Sequence, residues 1–246
     1  NNGILRGEVP IEGYRSHRLL FANECMYYSI STNKMAAMNA LGQITNVFDL
    51  GNYELHHDYV FDDNGDMLIL ATDTTKETVE DMIVRLNVTT GDVSLVVDMG
   101  NLFTDYKASV YDKDNDELDW THLNTIQWMG NNEILVSSRE TSTIVKIKDI
   151  YGTPEIDYMM GEQSFWEDSA YESLLLDKAN SFISQTGQHS ITYVEDASLE
   201  DGQYYLYMFN NNFGYSSTNK SYDWGQLNIP TEVKDEDAVC KYYKYL

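Results

Sequence analysis

Two short stretches, 119–126 (DWTHLNTI) and 136–139 (VSSR), decide the fold of this 246-residue chain. Each carries the apolar and β-branched residues that are typical of a β-strand, and the intervening 130–132 (GNN) is a turn signal. The sequence therefore predicts two antiparallel strands joined by a short turn. His122 opens the first strand and Arg139 closes the second, so we expect them side by side at one rim of a sheet.

The same order of histidine, strand, turn and second strand occurs three times. His56 and His57 open the first copy, His122 the second and His189 the third. His122 lies 66 positions after His56, and His189 lies 67 positions after His122. A shorter copy begins near His17, so all five histidines of the chain open equivalent strands.

Turn signals divide the sequence into four units of short strands, near 17–50, 55–100, 120–160 and 187–246. Four antiparallel strands per unit, repeated at intervals of roughly 40 to 67 residues, are typical of β-propeller blades. We predict an all-β fold, a β-propeller of four-stranded antiparallel blades, with 1–246 forming a portion of about four blades. Because blades need neighbours on both sides, we expect further blades outside this sequence.

Two long insertions, 101–119 and 161–187, interrupt the repeat just before a histidine-bearing strand. Acidic and apolar residues alternate near helical spacing within 166–184, which predicts one helix there. Both insertions are expected to overhang the face where the histidines gather, as lids commonly do. Plain loop decoration is the equally compatible alternative.

Charge and composition exclude several classes of protein. The chain has 40 acidic and 16 basic side chains, a formal charge of −24, so nucleic acid is not expected as a partner. Solubility alone accounts for such a charge. No apolar run approaches the roughly 18 residues of a membrane span. Cys25 and Cys240 follow no zinc or redox spacing, and whether they pair is left open.

The predicted meeting of histidines with Arg139 indicates the chemistry. Three imidazoles fit zinc or copper, but a guanidinium opposes a dication and suits a tetrahedral oxyanion such as sulfate or phosphate. We therefore predict no metal and no cofactor. Neutral histidine is also a competent nucleophile. Each residue has a structural alternative, since single histidines at strand openings are usually structural and Arg139 has many carboxylates to pair with.

The sequence leaves the roles of some neighbours open. Gapless alignment of the repeats favours His56 as the residue facing the site and turns His57 away, although a β-bulge would exchange them. Asp58 and Asn124 each follow a histidine by two positions. They are expected either to orient the imidazole rings or to pair with neighbouring strands.

At these motifs the sequence resembles the arylsulfotransferase (aryl-sulfate sulfotransferase) family. The similar segments are 55–58 (LHHD), 119–124 (DWTHLN), 137–139 (SSR), 187–190 (GQHS) and 208–211 (MFNN). The resemblance implies a six-bladed propeller with an extra N-terminal domain, exported from a bacterium to the periplasm or cell surface. It also implies sulfuryl transfer from an aryl sulfate donor to a phenol acceptor without a nucleotide donor. We expect the N-terminal domain and the closing blades to lie outside this chain.

The resemblance further implies residue roles. His189 is the expected nucleophile, which becomes a sulfohistidine in a two-step exchange, and one of the histidines trades a proton with the phenol oxygen. The expected substrate-binding residues are His56, His57, His122, Asn124 and Arg139. A homodimer is compatible with the sequence. The alternative functions are a non-catalytic secreted propeller that binds an anionic or aromatic ligand, and hydrolysis of sulfate esters by water.

Overall fold

The computed structural model describes residues 8, 11, 18–105, 118–180, 184–211 and 245. The strands in these ranges are β1 (Leu20–Ala22), β2 (Cys25–Ser31), β3 (Lys34–Asn39), β4 (Ile44–Asp49), β5 (Tyr53–Phe61), β6 (Met67–Asp73), β7 (Met82–Leu86), β8 (Val93–Asp98), β9 (Leu123–Gly130), β10 (Glu133–Ser138), β11 (Thr143–Lys148), β12 (Glu155–Met160), β13 (His189–Val194) and β14 (Tyr205–Phe209). The helical elements are α1 (Met99–Leu102), α2 (Gln163–Trp166) and a 3₁₀ turn (Glu172–Leu174).

The strands form three four-stranded sheets, β1–β4, β5–β8 and β9–β12, and the pair β13–β14. Every pairing joins strands that are consecutive in sequence, and all are antiparallel. The prediction of an all-β fold built from four-stranded antiparallel blades is confirmed. Between β9 and β10, Asn131 and Asn132 adopt φ of 52° and 63°, the left-handed conformation that a tight hairpin requires and asparagine tolerates.

The sheets stack face to face and share their cores. Along β6, Met67 and Ile69 pack toward the first sheet, whereas Leu68 and Leu70 pack toward the third. All four side chains are fully buried, because alternate residues of a strand point to opposite faces. Burial of one such side chain contributes about 1.5–3 kcal/mol. A sheet buried on both faces is the arrangement expected of a propeller blade.

The first strands of the second sheet, the third sheet and the pair β13–β14 contact one another in turn, since β5 lies against β9 and β9 against β13. The register of each of these strands is interrupted close to its histidine. The histidine-bearing segments of these three sheets therefore lie together.

The helix predicted within 166–184 is wrong for the part of that segment that the structure describes. Its helical content there is the last residue of α2 and the 3₁₀ turn. Leu175 then bridges Met159 in parallel, and the main-chain amide of Leu176 donates to the carbonyl of Met159 at 2.9 Å. The apolar spacing instead serves packing, because Trp166 and Tyr171 are buried in the core beside the third sheet.

Three sequence-based expectations fall outside the described residues: the copy at His17, most of the first insertion (106–117), and Cys240. Cys25 lies on β2, so its pairing with Cys240 stays an open question. Among the helices of the described ranges, none has the length and apolar character needed to cross a bilayer.

Candidate active site

Three imidazole rings from three successive sheets meet. His122 directly precedes β9 and His189 is the first residue of β13, whereas His57 is the fifth of the nine residues of β5. The expectation that His56 and His57 open their strand is therefore wrong, because the register shift lies within β5, between Leu55 and Tyr59. The ring centroids of His57 and His122 are 4.8 Å apart, and His189 lies 6.0 Å from each of them. Ring nitrogens of all three lie within 4.8 Å of one another. The rings are half-buried, so the cluster is reachable from solvent while its charges are only partly screened.

A bend of the backbone aims these rings. His57 and His122 have φ of 48° and 47°, and Ser190, which follows His189, has φ of 56°. Each bend coincides with a register shift of its strand, and a β-bulge of this kind turns a side chain to the other face. The gapless alignment that favoured His56 is therefore wrong. His57 supplies the ring that contacts both other histidines, and the 3% exposed His56 lies behind it with the two Nδ1 atoms 3.2 Å apart.

The surroundings of the His189 ring orient it through Nδ1. This atom lies 3.0 Å from the carbonyl oxygen of Gly187 and 3.1 Å from the amide nitrogen of Asn211. A carbonyl oxygen only accepts, so the Gly187 contact favours the tautomer with its proton on Nδ1 and its lone pair on Nε2. The Asn211 amide donates to the same carbonyl at 2.6 Å. Burial, aided by the positive charges of His122 and Arg139, lowers the pKa of His189.

His122 has the opposite surroundings. Its Nδ1 is hydrogen-bonded to the carboxylate of Asp119 and lies 3.0 Å from Oε2 of Glu80. Burial by itself lowers the pKa of His122. The Asp119 hydrogen bond and the charges of both carboxylates outweigh burial and raise this pKa above its ordinary value. Two adjacent histidines with pKa values displaced in opposite directions are suited to the roles of nucleophile and proton donor.

Arg139 lies beside His122, as the sequence predicted. Its main-chain amide donates to the His122 carbonyl at 3.2 Å. Its Nη1 donates to Oε1 of Glu140 at 3.3 Å, and 26% of the side chain is exposed. The guanidinium is close enough to act on the pKa of both His122 and His189, which places a permanent positive charge at the cluster.

Asn124 and Asp58 tie neighbouring sheets together. The Asn124 amide donates to the carbonyl of Gln188 at 2.9 Å, and its oxygen accepts from the Thr125 hydroxyl. The Asp58 carboxylate accepts from the main-chain amide of Ile126 at 3.1 Å. Of the two expectations for these residues, pairing with a neighbouring strand is the one found. Asn124 is only 6% exposed and both polar atoms of its side chain are engaged in these bonds, so its place in the fold is that of a support for the segment leading to His189.

Gln188 completes that support. It is fully buried, and its amide donates at 3.0 Å to both the Ser137 hydroxyl and the Ser138 carbonyl of β10. The residue before His189 is thus fastened to the third sheet by its side chain and, through Asn124, by its main chain. This anchoring fixes the position of the His189 ring relative to His122.

Sequence reasoning missed two residues that contact the histidine cluster, Asp119 and Glu80. Asp119 stood three positions before His122 in the quoted motif, a spacing that allows a local side-chain contact, but no role was assigned to it. Glu80 carried no signal, because it lies in the connection from β6 to β7 with φ of 55° and belongs to no repeat.

The same atoms form donor sets for a metal ion. His57, His122 and His189 make one group, and Glu80, Asp119 and His122 make another. Three imidazoles fit zinc or copper. The positive charge of Arg139 opposes a dication, whereas it favours an oxyanion.

Comparison with known proteins decides the family. A family model described as Arylsulfotransferase (ASST) matches residues 1–246, the whole chain. The chain belongs to the arylsulfotransferase family. Membership confirms the resemblance drawn from the motifs. No curated protein matches the sequence.

Solved structures similar to this arylsulfotransferase chain are distant. A catalytically inactive virginiamycin B lyase from Staphylococcus aureus with quinupristin has 15% identity and a TM-score of 0.40, over 61% of this chain and 43% of that one. A streptogramin B lyase has 15% identity and a TM-score of 0.36, over 57% and 39%. An auxiliary nutrient binding protein from Bacteroides thetaiotaomicron has 10% identity and a TM-score of 0.37, over 82% and 54%. The chain thus spans between 39% and 54% of the length of these three structures.

Proposed function

We propose that this arylsulfotransferase moves a sulfuryl group from a phenolic sulfate ester to an acceptor phenol in two steps, through a sulfohistidine on His189. One observation carries the proposal. The Nδ1 atom of His189 lies 3.0 Å from a carbonyl oxygen, and a neutral ring with its proton on that nitrogen presents the Nε2 lone pair close to the charges of His122 and Arg139. A nucleophile in a setting that favours anions fits attack on a sulfate ester.

In the first step Nε2 of His189 forms a bond to sulfur, and the bond from sulfur to the phenol oxygen breaks. The leaving oxygen takes a proton from a neighbouring histidine. In the second step the acceptor phenol gives up its proton, its oxygen bonds to sulfur, and the N–S bond breaks. No water enters, no metal or organic cofactor is needed, and the enzyme returns to its starting state.

The remaining residues hold the sulfuryl oxygens. His57, His122 and Arg139 lie around His189 and supply donors where charge builds up on these oxygens. Loss of one such donor reduces the rate by about 10²–10³. His56, with its Nδ1 3.2 Å from that of His57, supports the orientation of the His57 ring. We assign Asn124 to the positioning of His189 and not to direct substrate contact.

From the family resemblance we infer export to the periplasm or cell surface of a bacterium, a location with which the formal charge of −24 is compatible. Fractionation of cells that express the native gene, with antibody detection, tests this location. Recovery in the cytoplasm would contradict it.

Peptide mass spectrometry tests the mechanism. The protein is incubated briefly with 4-nitrophenyl sulfate, quenched and digested. We expect one added SO₃ group on the peptide that contains His189. This group should be lost when phenol is added before the quench. The matched variant His189→Gln should show neither. If the wild type binds the ester but forms no adduct, the two-step mechanism fails and a non-catalytic ligand-binding propeller is favoured; release of inorganic sulfate instead of transfer indicates hydrolysis.

A further inference from the structure

His122 is enclosed on its Nδ1 side by two carboxylates from different parts of the chain. Asp119 comes from the segment that leads into β9 and is hydrogen-bonded to Nδ1. Glu80 comes from the β6–β7 connection of the preceding sheet, with Oε2 3.0 Å from the same nitrogen and 3.6 Å from Nδ1 of His57. Two carboxylates around one ring nitrogen repel each other unless that nitrogen carries a proton.

Glu80 is built into this position. Its carbonyl oxygen accepts from the Thr121 hydroxyl and from the Leu123 amide, both at 3.0 Å. Its own amide donates to the Thr72 hydroxyl at 2.9 Å. With φ at 55°, Glu80 adopts a left-handed backbone conformation that residues other than glycine rarely adopt. Strained backbone conformations that are held in place by their surroundings are found mainly at functional sites.

Asp119 is fixed as firmly. The next residue, Trp120, donates from its indole nitrogen to the Asp81 carboxylate at 2.8 Å, and both side chains are buried. Residues 118–121 therefore run along residues 78–81 of the second sheet, and Leu118 bridges Thr78 in parallel. The two carboxylates consequently approach His122 on a shared rigid support.

Since Nδ1 of His122 points to the carboxylates, its Nε2 is turned away from them. The charged groups that act on His122 are Asp119, Glu80 and Arg139, and the rings of His57 and His189 lie alongside.

We propose that Asp119 and Glu80 are positioning residues that keep His122 as an imidazolium with its Nε2–H directed at the leaving phenol oxygen. This inference rests on the proposed function. In the first step the Nε2 proton passes to the phenol oxygen as the S–O bond breaks, leaving His122 neutral with Nδ1–H still bound to the carboxylates. In the second step Nε2 accepts the proton of the acceptor phenol, so His122 returns to its charged form.

Donors of graded leaving-group ability test the role in transfer. The variants are Asp119→Asn and Glu80→Gln, and the matched control is Asp92→Asn, which removes an exposed carboxylate of the same sheet that lies in the β7–β8 turn. Phenol, with a pKa of about 10, needs a proton to leave, whereas the more acidic 4-nitrophenol needs little help. Because general acid catalysis contributes about 10²–10⁴-fold, we expect Asp119→Asn to slow transfer from phenyl sulfate on the order of 10²-fold and from 4-nitrophenyl sulfate less than about tenfold. Equal losses with both donors, or none, would overturn the proposal.

A substrate-free measurement separates this inference from the proposed function. Histidine-selective ¹⁵N labelling follows the titration of His122, assigned with His122→Gln, in the wild type and both variants. We expect the midpoint of His122 to fall in Asp119→Asn and in Glu80→Gln and to stay unchanged in Asp92→Asn. An unmoved midpoint in folded variants overturns the role of the carboxylates. If the wild type shows no transfer but the midpoint of His122 falls in the variants, only the proposed transfer function is contradicted. If Asp119→Asn does not fold, Glu80→Gln provides the test.

Discussion

The main-chain amide of Arg139 donates to the carbonyl oxygen of His122 at 3.2 Å. This bond continues the pairing of β9 and β10 by one step beyond Ser138, so the ladder itself places Arg139 next to His122. Backbone geometry thus brings a permanently charged residue to the histidine cluster. A guanidinium at that position favours an oxyanion over a dication as ligand.

Substitution of Arg139 tests the value of that charge. Arg139→Ala removes an electrostatic donor to the developing charge, so we expect the kcat of transfer to fall by about 10²–10³. Arg139→Lys keeps the charge but loses the planar guanidinium, so its kcat should lie between those of the wild type and Arg139→Ala. Steady-state kinetics with 4-nitrophenyl sulfate and phenol gives both values. A lysine variant as inactive as the alanine variant would mean that fork geometry, and not charge, dominates.

The two histidine pKa shifts predict a bell-shaped pH profile. His189 must be neutral to attack, and its pKa lies below the ordinary 6.5, so activity rises as pH increases through that lowered value. His122 must be protonated to assist the leaving phenol, and its pKa lies above 6.5, so activity falls as pH increases through that raised value. We expect kcat/KM for phenyl sulfate to be highest between the two limbs. A profile that rises steadily across the whole range would contradict the assignment of His122.

Asn124→Ala tests the support beneath His189. The change removes a buried donor from the Gln188 carbonyl, which should lower the free energy of unfolding by about 1–3 kcal/mol. The matched control is Asn33→Ala, whose amide donates to the Gly51 carbonyl at 3.4 Å on the surface and should change stability by less than about 0.5 kcal/mol. Urea unfolding followed by fluorescence measures both. Transfer should also slow in Asn124→Ala and not in Asn33→Ala; equal behaviour of the two variants would remove the positioning role.

Metal removal separates an oxyanion site from a metal site. If Arg139 and the histidines bind sulfate esters directly, dialysis against EDTA should leave the rate unchanged, and elemental analysis should find less than stoichiometric zinc or copper. Excess Zn²⁺ should inhibit, because three imidazoles are also good zinc ligands. Loss of activity with EDTA and its recovery with one equivalent of metal would contradict a metal-free mechanism.

The strands were predictable because their signals are local. Apolar and β-branched residues and asparagine or glycine turns lie within each hairpin, so the two strands on either side of residues 130–132 were predicted and are found as β9 and β10. The helix expected after Trp166 failed for a physical reason. Apolar residues at helical spacing also arise when an irregular segment lays several side chains into a core, as Trp166 and Tyr171 do.

The site was predictable only in its recurring part. The histidines recur at nearly equal intervals, and Arg139 ends a predicted strand beside one of them. The choice between His56 and His57 depended on a β-bulge, which adds a residue that the alignment of the repeats does not reveal. Glu80 approaches from the preceding sheet through a non-repeating connection, so only the tertiary arrangement brings it to His122. Asn124 is the opposite case. It stands within a motif that predicted a site residue, but its side chain instead donates to the Gln188 carbonyl just before β13.

Three successive blades each contribute one imidazole to the contact among His57, His122 and His189, and bonds such as that from Ile126 to Asp58 pass from one sheet to the next. The catalytic geometry is thus a property of the seams between blades. Hydrogen exchange and denaturant should open those seams before the hairpins within a blade separate. Activity is then a more sensitive indicator of partial unfolding than circular dichroism. A variant that keeps its function at higher temperature needs stabilising contacts between neighbouring blades, and not only within them.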